Sequence, residues 1–522
     1  MLEMNVGTLI DKVVAKYKDR TAVKMGKEAI TYAELGENTN RFANCLLKLG
    51  LKKGDRIAVL MLNAIEYLCI DYGSAKIGAV KVPLNHLLVK DDVDFRFADS
   101  EPGVAVVDEF FLPWLLELRP KHPCIKDIVC ITDQPQKLPP GIHSFHALLR
   151  EASPEAPNVK VGNEDLLALM YTGGTTGKSK GVMHTHKSFV SIVYSETLEY
   201  FEWDDIQLVM APLPHATGFL IPPCLLRGGK VIITEGFDPP EMCRIIQEEK
   251  VTWVFMVPTM IYVLLDYPDR KEYDLSSLRT ICYGAAPMSP ERLKQAMAEF
   301  GPILMQAYSQ MEVANQTTIL TIPEHIEAME ENPERLKSCG RPVIMSQVRI
   351  VDEEGHDVPV GEVGEIITRG PHMMKGYWNR ERETKEAIRD GWLYTADMAK
   401  MDEDGFIYIV DRKKDMIISG GLNIYSAEVE FVLMKHPSIS QAAVLGIPDD
   451  KWGEAIKAVL VLEQDATATP EEIMGFCREH LSAYKRPKTF EFVDQLPVTP
   501  YGKIDKKVLR AKYWKGHERA VH

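Results

Sequence analysis

The sequence predicts an α/β protein, with a large N-terminal domain of layered βαβ subdomains that includes a β-barrel-like region, followed by a small α+β C-terminal domain. Three observations carry this prediction. Compact apolar runs alternate with amphipathic segments from Leu51 onward, the pattern of βαβ units around a mostly parallel sheet. After about Met345 the texture changes to short alternating runs broken by acidic glycine turns. Beyond the charged stretch Asp411-Arg-Lys-Lys-Asp415 the alternation of helix and strand returns for roughly a hundred residues, the size of a small domain.

The 522 residues exceed one ordinary domain, for which about 100 to 200 residues is usual. In chain order, DRIAVLML, GAVKVPL, GVAVVD and CIKDIVCIT read as buried strands separated by helical patterns. The cycle recurs at KVIIT, VTWVFMVP and LRTICYGAAP, without the fixed period of a solenoid. QVRIVDEEGHDV, GEIITRG and MAKMDEDGFIYIV then read as antiparallel hairpins. The last part begins with a helix near Ala427 to Lys435 and continues with strands at QAAVLGI and KAVLVLE and a helix near Pro470 to His480. The DRKKD stretch between these textures is a linker candidate, although a charged run is more often a solvated turn.

Composition narrows the function classes. Hydrophobic residues at 45% and charged residues at 26% are those of a globular protein. A net charge of −14 argues against nucleic acid as a partner, because neutralising phosphates takes a basic surface. Nine cysteines without a C-x-x-C pair point to buried, reduced thiols. The N-terminus MLEMNVGTLIDKVV lacks the pattern of a secretory signal, and the apolar stretch from Val251 to Leu265 is short for a membrane span and contains Pro258. A cytoplasmic location without a membrane segment is expected.

The strongest local signal is Tyr171-Thr-Gly-Gly-Thr-Thr-Gly-Lys-Ser-Lys-Gly181. Thr172, Gly173, Gly174, Thr175, Thr176 and Gly177 follow an apolar run and offer backbone N–H groups and hydroxyls with little bulk, which suits a polyphosphate, while Lys178 and Lys180 add charge. A Walker-type loop needs glycine where Thr172 stands. Taken alone, the string is equally well a flexible surface loop. It resembles the glycine-rich phosphate loop of the adenylate-forming superfamily, which contains acyl-CoA ligases, adenylation domains and firefly luciferase. Gly173 and Ser179 stand where that family commonly has Ser and Pro.

Further segments resemble the same family in the expected order, from about Thr31-Tyr-Ala-Glu-Leu35 to Asp505. In Pro214-His-Ala-Thr-Gly218 the resemblance makes His215 an acyl-pocket residue with a catalytic role. In Tyr283-Gly-Ala-Ala-Pro287 it places Gly284, Ala285, Ala286 and Pro287 beside adenine; the segment also reads as a strand-to-helix turn before Ser289-Pro290. In Tyr308-Ser-Gln-Met-Glu312 it stacks Tyr308 on adenine and gives Glu312 to Mg²⁺, with Met311 in place of a threonine. In Gly391-Trp-Leu-Tyr-Thr-Ala-Asp397 it sets Asp397 on the ribose hydroxyls, with Ala396 where glycine is common. The DRKKD stretch resembles the inter-domain hinge, with Arg412 on ribose or phosphate and Lys414 as pivot. Gly420 and Gly421 then lie beside the pantetheine tunnel, and Pro497-Val-Thr-Pro-Tyr-Gly-Lys503 carries the catalytic Lys503, with Lys180 as a second catalytic cation.

The resemblance thus implies an N-terminal domain of residues 1–410, a hinge at 411–414 and a mobile lid of residues 415–522. The implied reaction uses ATP, Mg²⁺ and coenzyme A: a carboxylic acid is adenylated and then passed to the CoA thiol. His215, Phe219, Gly284, Val313 and Ala314 would wall the acyl pocket, and their small or apolar character implies a hydrophobic acid, a fatty acid first and an aryl or alicyclic acid as the alternative. No acidic residue among them would anchor an α-amino group. Three other readings stand beside this one: an adenylation module that loads a carrier protein, a luciferase-like oxygenase and a degenerate non-enzyme. The first is disfavoured because no carrier domain follows before His522, and the last because Lys503, Asp397 and Glu312 are all present. A homodimer is left open. His184 and His186, two residues apart, do not read as a metal site, and Ser482-Ala-Tyr-Lys485 matches S-x-x-K without its companion motifs.

Overall fold

The computed structural model describes residues 4–172, 179–214, 216–314, 316–420, 422–449, 451–464, 466–499 and 504–514. The apolar runs after Leu51 become an eight-stranded sheet in the spatial order Gly376–Tyr377, Gly181–Thr185, Leu166–Tyr171, Val80–Leu84, Arg56–Leu60, Val104–Asp108, Asp127–Ile131 and Ile142–Ser144. The later runs become a nine-stranded sheet whose centre, Leu304–Tyr308, Thr280–Gly284, Trp253–Met256, Ile206–Val209 and Lys230–Ile233, is parallel throughout.

Both sheets are buried on both faces, which is why their strands read as continuous apolar runs. Val59, Val106 and Met170 of the first sheet and Val209, Val231 and Cys282 of the second join one core with Phe42, Ile70 and Val193, on the helices Tyr32–Lys48, Glu66–Ile77 and His186–Glu199. Their alternate neighbours pack elsewhere: Ala58 and Leu60 on the far side of one sheet, Leu208, Val254 and Ile281 on the far side of the other. The layered βαβ prediction therefore holds.

The sequence reading began at Leu51 and missed what the first fifty residues do. Strand Thr21–Met25 pairs in parallel with Lys230–Ile233, Val23 opposite Val231, and turns back through Glu28–Thr31 as the edge of the nine-stranded sheet. Thr31 then starts the helix Tyr32–Lys48 with a capping box, its side chain accepting from the Glu34 N–H while Glu34 accepts from the Thr31 N–H.

The hairpins after Met345 form a five-stranded antiparallel sheet of Gln347–Val351, Gly364–Arg369, Ile388–Arg389, Trp392–Met401 and Ile407–Arg412. The smaller C-terminal domain is built on the antiparallel pair Ile439–Asp449 and Gly453–Leu462, with helices Ser426–Leu433 and Pro470–His480. All nine cysteines are free, and only Cys124 is not fully buried. Among the described residues no helix is long and apolar enough to cross a membrane. The stretch Val251–Leu265 is split into strand Trp253–Met256 and a helix opened by Pro258.

Candidate functional site

The residues predicted for the nucleotide lie at the ends of the strands Thr280–Gly284 and Leu304–Tyr308 of the nine-stranded sheet and on the strands Trp392–Met401 and Ile407–Arg412 of the antiparallel sheet. Ligands of α/β folds gather at such carboxyl ends because the loops there face one another. Gly284 closes the strand Thr280–Gly284 beside Ala307. A Cβ at 284 would stand 2.4 Å from the Ala307 carbonyl oxygen, so the neighbouring strand by itself demands glycine there. Ala285 follows with φ +68°, in the left-handed region, and is exposed together with Pro287. The sequence assigned this turn both to adenine and to strand-to-helix geometry; its shape is already explained by the second, since Ser289 caps the helix Pro290–Phe300.

Asp397 is a buried carboxylate with three side-chain partners. It is 2% exposed, and one oxygen accepts from the Tyr308 hydroxyl at 2.6 Å and from Gln310 Nε2 at 2.5 Å. The other pairs with Arg412 Nε at 2.5 Å, across the strand pair Trp392–Met401 and Ile407–Arg412 that sets the two residues opposite each other. Charge-assisted bonds of this kind hold a carboxylate in one orientation. Tyr308 is buried, and burial with the Asp397 charge pushes its phenol well up, so it stays a donor. Its predicted partnership with adenine is joined here by a bond to the predicted ribose acceptor. Gln310, which carried no predicted role, also donates to the Thr395 carbonyl at 2.8 Å and so locks that orientation. Ala396, where glycine was noted as common, has φ +57°, a conformation that costs a Cβ-bearing residue about 1 kcal/mol.

A second group gathers around Tyr377. Its hydroxyl donates to Glu312 Oε1 at 2.8 Å, and its ring lies under the Lys180 ammonium, 4.7 Å from nitrogen to centroid. Tyr377 is held there because Gly376–Tyr377 pairs with the strand Gly181–Thr185 that leaves the glycine-rich segment. Burial and the Glu312 charge push the Tyr377 phenol up, which keeps it protonated. Glu312 itself is half-buried and presents hard carboxylate oxygen to the Tyr377 hydroxyl. Among the described residues no cluster of three or more histidine, cysteine, aspartate or glutamate side chains could hold a metal. His184 is instead structural: its Nε2 donates to the Met311 carbonyl at 2.7 Å, and burial pushes its imidazole down to about 4.

Thr172 and Ser179 close the neck of the glycine-rich segment. The Thr172 N–H donates to the Lys180 carbonyl at 3.0 Å, the Lys180 N–H to the Thr172 hydroxyl at 3.2 Å, and the Ser179 hydroxyl to the Thr172 carbonyl. Buried Arg96 reaches Ser179 Oγ at 3.5 Å and lies over the Tyr171 ring. A hydroxyl thus ties the position that proline commonly stiffens in the resembling family. Gly173, Gly174, Thr175, Thr176, Gly177, His215, Gly421 and Lys503, predicted for the site, lie outside the described residues. The His215 segment is anchored just before it by Asn63, which donates to the Ala211 and Thr234 carbonyls and accepts from the Leu213 N–H at 2.9 Å.

The charged run 411–415 is a network of specific pairs, where a solvated turn was the commoner expectation for such a string. Asp411 accepts from the N–H groups of Ser426 and Ala427 and from the Ser426 hydroxyl, capping the helix Ser426–Leu433 of the small domain. Lys413 reaches Glu365 at 3.2 Å, and Asp415 pairs with Arg510 of the helix Lys506–Tyr513 at 2.6 Å. Burial, helped by Arg412 and Arg510, pushes the Lys414 ammonium down to about 8. Gly420, with φ +59°, lies against the Trp452 ring, where a Cβ would stand 2.7 Å from it. Val498 and Ile504, which flank position 503 in the chain, pair antiparallel, and Lys506 pairs with Glu430 at 2.6 Å.

A family model described as AMP-binding enzyme matches residues 10–378, and one described as AMP-binding enzyme C-terminal domain matches residues 428–503. The chain is 37% identical to the medium/long-chain-fatty-acid–CoA ligase FadD8 of Mycobacterium tuberculosis, over 99% of this chain and 91% of that one. It is 38% identical to a feruloyl-CoA synthase of an Amycolatopsis species, over 94% of this chain and 96% of that one. Among solved structures, the amide bond synthetase McbA from Marinactinospora thermotolerans superposes with a TM-score of 0.89 at 30% identity, covering 97% of this chain and 99% of that one.

Proposed function

The chain belongs to the AMP-binding enzyme family, as an AMP-forming acyl-CoA ligase of the adenylate-forming superfamily, and from that premise we propose that it joins a hydrophobic carboxylic acid, a fatty acid first, to coenzyme A. The observation that carries the nucleotide half of this reading is the buried Asp397 carboxylate, pre-oriented by Tyr308, Gln310 and Arg412. A fixed acceptor of this kind suits paired sugar hydroxyls. The apolar walls at Phe219, Val313 and Ala314, all buried, support the hydrophobic acid.

In the first step an oxygen of the substrate carboxylate attacks the α-phosphorus of ATP and the bond to pyrophosphate breaks. In the second the CoA sulfur attacks the acyl carbon, AMP leaves and the thiol proton is lost to solvent. Such transfers depend on positioning and charge neutralisation. Lys180 and Lys503 are assigned to the negative charge of the phosphates. Glu312 fits Mg²⁺, which takes one or two protein carboxylates beside phosphate oxygens and would supply further neutralisation when bound. The assigned hinge at 411–414 lets the Lys503 domain leave the cleft before the thiol enters.

The test is Lys503→Ala. Acyl-AMP formation, read as pyrophosphate release without CoA, should fall on the order of 10² to 10³-fold, as for removal of one electrostatic contact to the reacting charge. An unchanged rate would remove the reading.

A further inference from the structure

Lys180 is framed by two stretches of chain. One is the strand Leu166–Tyr171 with the neck that follows it; the other is the strand Gly376–Tyr377, whose tyrosine ring lies beneath the ammonium. The second strand is two residues long, against roughly three to ten for an ordinary one, and it lies at the edge of its sheet. The end of the helix Lys90–Ser100 fastens both stretches. The last carbonyls of a helix have no partner within it. Here Arg56 Nε donates to the Ser100 carbonyl at 2.8 Å and Arg56 Nη2 to the Glu101 carbonyl at 3.1 Å, while Trp378 Nε1 donates to the Asp99 carbonyl at 3.0 Å. The Arg56 guanidinium also lies over the Trp378 ring, 5.7 Å from its centroid. The backbone of Asp99 is thus held before its side chain makes any bond.

That side chain spans the two stretches. One Asp99 oxygen accepts from the Tyr171 hydroxyl at 2.7 Å and the other from the Arg380 guanidinium at 3.1 Å. Burial, and then the bond to Asp99, pushes the Tyr171 phenol up, which keeps it a donor. The same helix also holds the Tyr171 ring, with the Arg96 guanidinium 5.5 Å from its centroid and Phe95 edge-on at 6.5 Å. Gly181, the neighbour of Lys180, touches both stretches: a Cβ there would stand 3.2 Å from Tyr171 Cζ and 3.4 Å from Trp378 Cβ. Its carbonyl accepts from the Trp378 N–H at 2.8 Å. Lys180 therefore has its backbone tied to Thr172 on one side, its next residue packed on Tyr171 and Trp378, and its ammonium over Tyr377.

Resting on the ligase reading above, in which Lys180 meets the phosphates of ATP, we propose that Asp99 is a positioning residue for that ammonium. It ties Tyr171, where the glycine-rich segment begins, to Trp378 and Arg380, which follow directly on Tyr377, so that Lys180 and the ring beneath it keep one register. A carboxylate that holds a hydroxyl on one oxygen and a guanidinium on the other fixes the spacing of the two donors, and charge-assisted bonds do so more firmly than neutral ones. Two residues of strand pairing alone would leave that spacing loose. The role is indirect: Asp99 acts through Tyr171, Trp378 and Arg380.

The test is a double-mutant cycle on the full chain, read as the dissociation constant for ATP with Mg²⁺ by titration calorimetry, without acid or CoA. Asp99→Ala should weaken binding about 10-fold, the scale of losing a group that orients a ligand-holding residue. In a Lys180→Ala background the same change should weaken it by less than about twofold, because residues that act through one another are not additive. Asp99→Asn, which keeps an acceptor but not the charge, should fall between the wild type and Asp99→Ala. Equal losses in both backgrounds would make Asp99 a support of the fold alone, and no loss in either would make it idle; each result overturns the proposal and leaves the ligase reading standing. Tyr171→Phe and Arg380→Gln each cut one bond and should each weaken binding about threefold, the scale of one ordinary hydrogen bond. They carry the same cycle if Asp99→Ala does not fold, and no loss in either would also overturn the proposal. A wild-type protein that binds no ATP would instead overturn the ligase reading, and the role of Asp99 with it.

Discussion

Tyr377→Phe isolates one contact in the site, because it deletes the hydroxyl that donates to Glu312 Oε1 and keeps the ring under Lys180. A hydrogen bond to a charged group contributes about 1.5 to 3 kcal/mol. Glu312 is half-buried, so water replaces part of the lost bond, and what remains is the loss of a fixed carboxylate direction. Taking about 1.4 to 2 kcal/mol for that loss gives an adenylation rate lowered about 10- to 30-fold. Because the carboxylate is assigned to Mg²⁺, the defect should be larger at limiting Mg²⁺ and shrink as Mg²⁺ is raised. Single-turnover pyrophosphate release across a Mg²⁺ series measures both. Tyr377→Leu, which also removes the face beneath the Lys180 ammonium, should lose a further several-fold. A Tyr377→Phe protein with the wild-type rate at every Mg²⁺ concentration would show that Glu312 needs no such partner, and the proposed metal role would lose its structural support.

Three other perturbations follow from the same geometry. Ala396→Gly relieves a left-handed φ of +57° and should raise stability by up to about 1 kcal/mol, read as a higher denaturant midpoint at unchanged slope. Ser179→Ala breaks the hydroxyl tie to the Thr172 carbonyl and the contact with Arg96; the KM for ATP should rise several-fold while melting changes little, and an unchanged KM would argue against a role for the neck in nucleotide binding. His184, His186, His325 and His372 are buried with imidazoles pushed down to about 4 by desolvation. Their folded-state values lie below the unfolded value near 6.5, so the unfolded chain takes up protons first, and stability is complete above about pH 6.5 and is lost as pH falls toward 4. At pH 5 each should cost about 2 kcal/mol, and a melting temperature flat from pH 7 to 5 would contradict their burial.

What was legible in the sequence was what repeats locally. Strands buried on both faces print themselves as apolar runs, so Arg56–Leu60, Val104–Asp108 and Thr280–Gly284 could be read directly. The turn from Met345 to an antiparallel texture was legible in the same way, through its acidic glycine turns. The hairpin Thr21–Thr31 was not, because what stabilises it is its pairing with Val231, about two hundred residues away along the chain. The C-terminal helix was expected to begin at Ala427 and run to Lys435; it spans Ser426–Leu433, since its start is fixed by the Asp411 side chain rather than by a residue of its own turn. Tyr377 and Gln310 were missed for a related reason. A tyrosine in MMKGYWN matches no chemical pattern, and only the strand pairing of Gly376–Tyr377 with Gly181–Thr185 brings it to Glu312. Among the cleft residues, Asp397 and Glu312 were named in advance because the segments around them resembled a known family; their partners had no such guide.

The charged run 411–415 shows how a short segment can serve both parts of the chain. Arg412 and Lys413 bond backward, to Asp397 and Glu365 of the large domain, while Asp411 and Asp415 bond forward, to the first turn of Ser426–Leu433 and to Arg510. If the small domain turns about Lys414, as assigned, Arg412 can remain on Asp397 and Asp415 can remain on Arg510, because each pair lies wholly on one side of the pivot. Asp411 is different: it precedes the pivot but caps a helix beyond it, so its bonds must break. A carboxylate at a helix N-terminus is worth about 1 kcal/mol or more, which is enough to favour one domain arrangement by several-fold without locking it. On this argument Asp411, and not the pivot itself, sets the balance between the two arrangements, since its side-chain bonds to Ser426 and Ala427 span the pivot and rotation cannot carry them along.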